Sequence, residues 1–452
     1  MNFILLVAGG AFIIYALIYK PEMIVILLFT FVIAQINIYN LRPLLSLALV
    51  ARILIDRSKQ FRYPPFFSQP VVKVFIIFLL YGLFVSFWQN IFNTDLFKEY
   101  VYTVILTFCV YYYFFRLGNY NHLKMALIFA GLICFSDLAY TYVVYGSFPI
   151  HRIVNEIGGM PQNLSEEELD AMANWNLFGQ VCGMCFVFVF QDYIRNRAAN
   201  KISFLIMPIM LLGVMMSTSR SAIMAMLIVS LLIILNGINF SEHKRRLAKI
   251  GAFVTGAALV ITLLYATMGK YINLDSKFID DITNRLTQEP VAILKRAMGQ
   301  SYNINDLGSM DWREESSENA YAAYMNLPFN EQLFGIGIRG FEVRNIGHGY
   351  NAHNAFLLLL IENGILGTLI YFIIIAGTIV QSILKKNMSP SLGVICFILI
   401  YGLGQNREWT GWTTFLFVFC IVAEIQFQRM EKKDKHYSLF SGKSVIKQGV
   451  SL

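Results

Sequence analysis

Two short polar segments interrupt long apolar runs, and both carry side chains that could do chemistry. The first is SerThrSerArgSer at residues 217–221, between two strongly apolar stretches. A guanidinium beside hydroxyl groups and the first turn of a helix is suited to binding phosphate oxygens, so Ser219 and Arg220 are candidate anion ligands. The alternative for Arg220 is an arginine that anchors a helix end at a membrane surface.

The second polar segment is HisGlyTyrAsnAlaHisAsn at residues 348–354, which lies shortly after LeuPheGlyIleGly at residues 333–337. The spacing of His348 and His353 does not put both rings on one helix face, and no nearby carboxylate has the spacing of a metal ligand, so we predict no metal. Histidine titrates near neutral pH, and a general base that accepts a hydroxyl proton is therefore the better chemical role. A structural histidine is the alternative.

The elements that position these groups are predicted to be membrane helices. Hydrophobic residues make up 57% of the 452-residue chain and charged residues only 14%, whereas a soluble protein carries roughly 25% charged residues. The fold class is therefore an all-α polytopic membrane protein with about 12 transmembrane helices, since each apolar run approaches the ~20 residues that cross a bilayer. The predicted spans are 1–19, 22–40, 72–93, 98–115, 124–146, 174–192, 202–218, 221–238, 249–268, 352–377, 388–405 and 411–428.

The distribution of basic residues predicts the orientation. With both termini in the cytoplasm, the clusters at 195–201 and 243–249 and the tail after residue 428 fall on the inner side, as the positive-inside rule requires. This accounts for the net charge of +8 without a nucleic-acid partner. Residues 41–62 are arginine-rich and suit a basic helix on the inner leaflet, with a thirteenth span as the alternative.

Two outer loops are too long to be simple connections, and long loops are frequently functional. They are residues 147–173 and residues 269–351, and the larger one contains aromatic residues and helix-like stretches that predict a folded cap. The predicted organisation is therefore residues 1–268 with nine spans, the large loop 269–351, residues 352–428 with three spans, and a basic cytoplasmic tail at 429–452. All six cysteines lie in apolar runs, so we expect neither a disulfide framework nor a zinc site.

In this setting the polar segments resemble the O-antigen polymerase and O-antigen ligase superfamily of bacterial inner-membrane proteins. The superfamily's Ser-X-Ser-Arg turn appears as residues 217–220, and its Gly-hydrophobic-Gly step as residues 335–337. Its His-Asn pair appears as His353 and Asn354, followed by a Glu-X-Gly-hydrophobic-hydrophobic-Gly pattern that begins at Glu362. The large outer loop before the last three helices agrees as well.

The resemblance implies a metal-independent, inverting glycosyltransferase that acts on a glycan linked to undecaprenyl diphosphate and needs no cofactor. It implies that His353 is the catalytic base, with Arg220 as the diphosphate ligand. A second diphosphate-binding arginine is expected in the large loop, where Arg313 matches best. The competitors for that role are Arg285, Arg296 and Arg339, and the remaining candidate site residues are Ser219, His348, Asn354 and Glu362.

Two related activities fit this resemblance, and a third comes from another class. A polymerase transfers the growing chain to the next lipid-linked repeat, and we favour it because the motifs match loosely and the chain is rich in aromatic residues. A ligase would transfer the finished chain to the lipid A core. A flippase or other transporter would place polar residues along many spans, whereas here they concentrate at one face. The expected location is the inner membrane with a periplasmic active site, and a chain-length regulator protein is a candidate partner.

Overall fold

The structure is a computed structural model, and it describes the chain in separate stretches. These are residues 19–33, 47–52, 70–92, 120–145, 175–195, 201–217, 219–237, 310–346, 354–384 and 390–403, with single positions 15, 45, 94, 98, 101, 295, 298, 300 and 352. Throughout these stretches the regular secondary structure is helical. The prediction of an all-helical fold is therefore confirmed at this level.

The described helices follow the predicted apolar runs closely. They are α1 Pro21–Ile33, α2 Pro70–Trp88, α3 Tyr120–Tyr145, α4 Trp175–Arg195, α5 Lys201–Met216, α6 Arg220–Gly237, α7 Met310–Met325, α8 Phe329–Phe334, α9 Gly340–Val343, α10 Ala355–Leu384 and α11 Pro390–Gly402. Two stretches, Leu177–Ile194 and Ala355–Gly377, are long and apolar enough to cross a membrane, and four shorter apolar helices accompany them. The count of 12 spans stays a prediction, because several of the predicted spans lie outside the described residues.

Helix α4 is the centre of the bundle and packs against α3, α5, α6 and α11. Glycines allow the close approach: a Cβ on Gly131 would lie 3.1 Å from the Cβ of Cys185, and one on Gly213 would lie 2.8 Å from the sulfur of Cys182. Small residues commonly allow such contacts between membrane helices. The four described cysteines are free thiols, as expected, while Cys109 and Cys420 lie outside the described residues.

A buried ion pair joins three of these helices at one end of the bundle. The ammonium group of Lys124 in α3 donates to the carboxylate of Asp192 in α4, and it also donates to the hydroxyl of Ser203 in α5 at 2.9 Å. All three side chains are buried. Charged side chains in a membrane interior are expensive unless they pair, so this contact fixes how α3, α4 and α5 are arranged at this end.

The described part of the large loop, residues 310–346, forms a small core on the first turns of α10. Ala320 and Tyr324 from α7 pack with Ile336 and Phe341, and α10 contributes Leu358 and Ile361. The Tyr324 hydroxyl donates to the carbonyl of Gln332 at 3.1 Å, and burial raises the pKa of this phenol, with a further contribution from nearby Tyr321. The segment is therefore packed directly on the helix that follows the histidine motif.

Candidate functional site

One end of the bundle gathers the elements that carry both sequence motifs. At the start of α4, a Cβ on Gly179 would lie 2.9 Å from the Cβ of Ser219, so the turn between α5 and α6 sits directly on the α4 backbone. At the end of α11, a Cβ on Gly402 would lie 3.4 Å from the Cβ of Ala355, the first residue of α10. Helix α11 runs antiparallel to α4, where Gly183 meets Phe397. The SerThrSerArg turn and the start of α10 therefore lie at the same end, opposite the Lys124–Asp192 pair.

The turn before Arg220 is held by its own serines. The Ser217 hydroxyl donates to the carbonyl of Val214 at 2.7 Å and accepts from the N–H of Ser219 at 3.3 Å. The carbonyl of Ser219 accepts from the N–H of Ile223 at 3.0 Å, so Ser219 is the residue from which α6 starts. Helix α6 begins at Arg220, which places this residue in the first turn of a helix, while its side chain lies outside the described structure.

The start of α10 is fixed by Asn354. Its side-chain oxygen accepts hydrogen bonds from the N–H groups of Phe356 at 3.0 Å and Leu357 at 3.1 Å, which is the geometry of a helix N-cap. Asn354 therefore positions the chain instead of offering this oxygen to a substrate. His353 immediately precedes the cap, but it lies outside the described residues, as does His348.

The structure describes only two of the four candidate arginines in the large loop. Arg313 lies in α7, one helical turn before Ser317, whose hydroxyl donates to the carbonyl of Ala352 at 2.8 Å. Helix α7 is thus anchored to the backbone next to residue 353, although the Arg313 side chain is outside the described structure. Arg339 precedes α9 with a left-handed φ of 62°. Arg285 and Arg296 lie outside the described residues.

The two glycine motifs meet each other. Helix α10 breaks at Gly364, whose φ of 64° and ψ of −175° are not helical. The turn at Gly335–Gly337 fits into this break, with the N–H of Ile336 donating to the carbonyl of Ile361 at 3.2 Å and that of Gly337 donating to Glu362 at 2.9 Å. A Cβ on Gly335 would collide with the backbone carbonyl of Glu362. The two motifs therefore form one structural joint, in which only glycine allows the backbones to meet.

Glu362 lies in this joint and is 4% exposed. The backbone carbonyl of Glu362 accepts the hydrogen bond from the glycine turn, so this contact at the break is made by the backbone of Glu362. The part of α10 after the break, residues 365–384, has about the ~20 residues needed to cross the hydrocarbon by itself. The break therefore falls inside Ala355–Gly377, the stretch that is long and apolar enough to cross a membrane, and the predicted span 352–377 stays a prediction.

Side chains at the end of α2 contact the glycine turn as well, and only their polarity within an apolar run marked them in the sequence. The hydroxyl of Ser86 accepts from the N–H of Ile338 at 3.0 Å. The side-chain amide of Gln89 donates to the carbonyl of Gly335 at 3.1 Å, and its oxygen accepts from Arg344 at 2.8 Å. Arg344 also pairs with Glu331 at 3.0 Å. The end of α2 is thus bonded to the loop segment on both sides of the glycine turn.

Within the described stretches, no group of three or more His, Cys, Asp or Glu side chains could hold a metal ion. His151, His348 and His353 all lie outside those stretches. The metal-free reaction predicted from the sequence therefore stays a prediction. The described part of the site consists of the first turns of helices, serine hydroxyl groups and the backbone positions of arginines.

A comparison with known protein families matches part of the chain. Residues 205–372 match the sequence model of a family described as O-antigen ligase. The matched region runs from α5 through most of α10, so it contains the serine turn, the glycine joint and the histidine motif. No curated protein matches the chain. The predicted resemblance to the O-antigen polymerase and ligase superfamily is confirmed over these residues, and it indicates a membrane-embedded enzyme of the glycosyltransferase type with lipid-linked glycan substrates.

Proposed function

From the match of residues 205–372 to the O-antigen ligase family, we propose that this protein is a polymerase of lipid-linked polysaccharide repeat units. It transfers a glycan from undecaprenyl diphosphate to a hydroxyl of the acceptor sugar, on the periplasmic face of the bacterial inner membrane. The observation that carries the proposal is that the SerThrSerArg turn and the start of α10 lie at one end of the bundle, although about 130 residues separate them in the sequence.

Arg220 is the proposed ligand of the diphosphate. It lies in the first turn of α6, where the positive end of the helix dipole already favours an anion. The serines before it use their hydroxyl and backbone groups to fix the turn. A guanidinium adds a permanent charge and two parallel donors, which suits a leaving group that gains charge as its bond breaks.

His353 is the proposed base. It is adjacent to an N-cap that fixes the backbone, and the same backbone is held by Ser317 of α7. In the proposed reaction the acceptor oxygen attacks the anomeric carbon and its proton passes to the imidazole. The bond from the anomeric carbon to the phosphate oxygen breaks, and the diphosphate leaves with the electron pair, so the configuration at that carbon inverts.

Arg313 is the proposed second cation. Residues one turn apart on a helix share a face, so Arg313 and Ser317 lie on the same side of α7, and Ser317 is bonded to the residue next to His353. Arg285 and Arg296 lie outside the described residues and stay competitors for this role. Arg339 begins α9 beside the glycine turn, which makes it the remaining described competitor.

The proposal is tested with purified protein and a purified lipid-linked repeat, with and without a chelator. His353→Ala should lower the transfer rate by roughly 10²–10⁴-fold, the usual range for loss of a general base. Binding of the donor lipid should be nearly unchanged, because arginines hold the diphosphate. His348→Ala is the matched control and should keep most of the activity. Full activity in His353→Ala would remove this residue as the base, and loss of wild-type activity with chelator would refute a metal-free reaction.

The ligase is the second candidate, because the matching family carries that description. Deletion of the gene separates the two activities by the surface glycan that remains. Loss of the long ladder with a single repeat unit still attached identifies the polymerase. Bare core together with accumulated lipid-linked polymer identifies the ligase, and in that case a chain-length regulator would not be a partner of this protein.

A further inference from the structure

Three consecutive carbonyls at the break of α10 accept hydrogen bonds from outside the helix. In a regular helix, the carbonyls of Ile361, Glu362 and Asn363 would accept from N–H groups four residues later. Here Ile336 and Gly337 donate to the first two. The third, on Asn363, accepts from the hydroxyl of Tyr81 at 3.0 Å. Tyr81 is thus the side-chain donor in a set that otherwise consists of backbone groups.

The Tyr81 hydroxyl connects three parts of the chain. Its single proton is shared between two acceptors, the carbonyl of Phe334, the last residue of α8, at 2.8 Å and the carbonyl of Asn363 at 3.0 Å. Asn363 and Gly367 would pair with each other in an unbroken helix, so the Tyr81 hydroxyl takes the place of that missing bond.

The position of the Tyr81 ring is fixed by close packing. A Cβ on Gly367 would lie 2.6 Å from the Cε1 atom of Tyr81, so the ring rests on the backbone of α10 just past the break. Helix α2 packs along α10 from this point, where Phe78 contacts Tyr371 with ring centroids 5.5 Å apart. The hydroxyl is therefore presented from a helix that is anchored in the bundle and does not belong to the large loop.

We propose that Tyr81 is a positioning residue of the transfer reaction, a role that rests on the proposed function. The angle at the break sets the direction of residues 355–363, and His353 lies directly before that segment. By holding the break, Tyr81 fixes the place of the base relative to the end of the bundle where Arg220 lies. It acts through α10 and does not touch the reacting atoms.

The test compares Tyr81→Phe with Tyr371→Phe, which removes a hydroxyl of the same size from the same α2–α10 interface, farther along α10. In Tyr81→Phe, kcat for lipid-linked repeat units should fall by about 10- to 100-fold, since small misplacements of catalytic groups have effects of this size. Affinity for the donor lipid should fall by much less than kcat because, of the two proposed diphosphate ligands, Arg220 lies on α6 and only Arg313 is on an element that packs against residues 355–363. Amide hydrogen exchange at residues 335–337 and 355–363 should become faster. Tyr371→Phe should match the wild type in all three measurements.

Each outcome decides the proposal. Unchanged kcat in Tyr81→Phe overturns it, and so does a lower kcat without faster exchange, which would mean that the hydroxyl acts on the substrate itself. An equal loss of kcat and donor binding would indicate general damage and would also overturn it. If wild-type protein transfers no glycan, the proposed function fails separately, and the exchange measurement still shows whether Tyr81 holds the break.

Discussion

Replacing Gly364 by alanine is the most direct perturbation of the joint between the large loop and α10. The φ of 64° and ψ of −175° at this residue belong to a region that is essentially restricted to glycine. An added Cβ would collide with the N–H nitrogen of Gly335 and would lie 2.5 Å from the carbonyl oxygen of Leu333 and the carbonyl carbon of Phe334. These are backbone atoms, so no side-chain rotation can relieve the contact.

The magnitude follows from two contributions. A non-glycine residue in such a conformation is strained by about 1–3 kcal/mol. Alanine also favours a straight helix over glycine by about 1 kcal/mol. The docked turn should therefore become less stable by about 2–4 kcal/mol, which corresponds to about 30- to 1000-fold in the ratio of docked to undocked states.

Transfer activity per folded protein should fall by about the same factor, measured with purified lipid-linked repeat and normalised to monodisperse protein in detergent. Hydrogen exchange at residues 335–337 should approach that of an unprotected loop. Gly402→Ala is the control, because the nearest atom to its added Cβ is 3.4 Å away, which is an ordinary contact. Wild-type activity and exchange in Gly364→Ala would refute the conclusion that the break holds the loop.

Three further predictions follow from the described contacts and from the predicted orientation. Arg220→Ala should abolish transfer and Arg220→Lys should retain part of it, since lysine keeps the charge but not the bidentate geometry; full activity in both variants, with protein present in the membrane, would return Arg220 to an anchoring role. Lys124→Met should destabilise the protein by about 3–5 kcal/mol because it removes the cation that compensates the buried Asp192 carboxylate, seen as a lower Tm and less protein in the membrane, whereas adding Asp192→Leu should recover much of the loss. Impermeant thiol reagents applied to whole cells should label a cysteine at residue 306 but not one at residue 443, and labelling at 443 would reverse the orientation.

The helices could be predicted because their signal is local. Apolar runs and polar turns placed most of the described helices outside the large loop within a few residues of their observed bounds, for example 221–238 against Arg220–Gly237, whereas α10 extends to Leu384, beyond the predicted end at residue 377. The N-cap role of Asn354 was also readable, since an asparagine directly before an apolar run is a helix start signal. We considered Asn354 mainly as a site residue, and its hydrogen bonds show that it defines the start of α10.

The contacts between distant segments could not be predicted in the same way. The run LeuLeuLeuLeuIleGluAsnGlyIleLeuGly at residues 357–367 is continuous in hydropathy, and hydropathy does not register a backbone that leaves the helical region at one glycine. The Lys124–Asp192 pair joins residues 68 positions apart, and each residue alone looks like a charge at the end of a span. The hydrogen-bond partners of Ser86 and Gln89 lie in a turn about 250 residues later, so the role of these two side chains cannot be predicted from the local sequence.

That separation has a consequence for how the protein is made. Ser86 and its partner Ile338 are 252 positions apart, and ribosomes add about 5–20 residues per second. The end of α2 is therefore synthesised roughly 12–50 s before the segment that satisfies its polar groups. During this interval the newborn chain exposes Tyr81, Ser86 and Gln89 without their final partners, so its maturation waits for the last third of translation. A truncated product that stops before residue 335 should consequently be recognised by membrane proteases, even though most of its bundle helices have already been inserted.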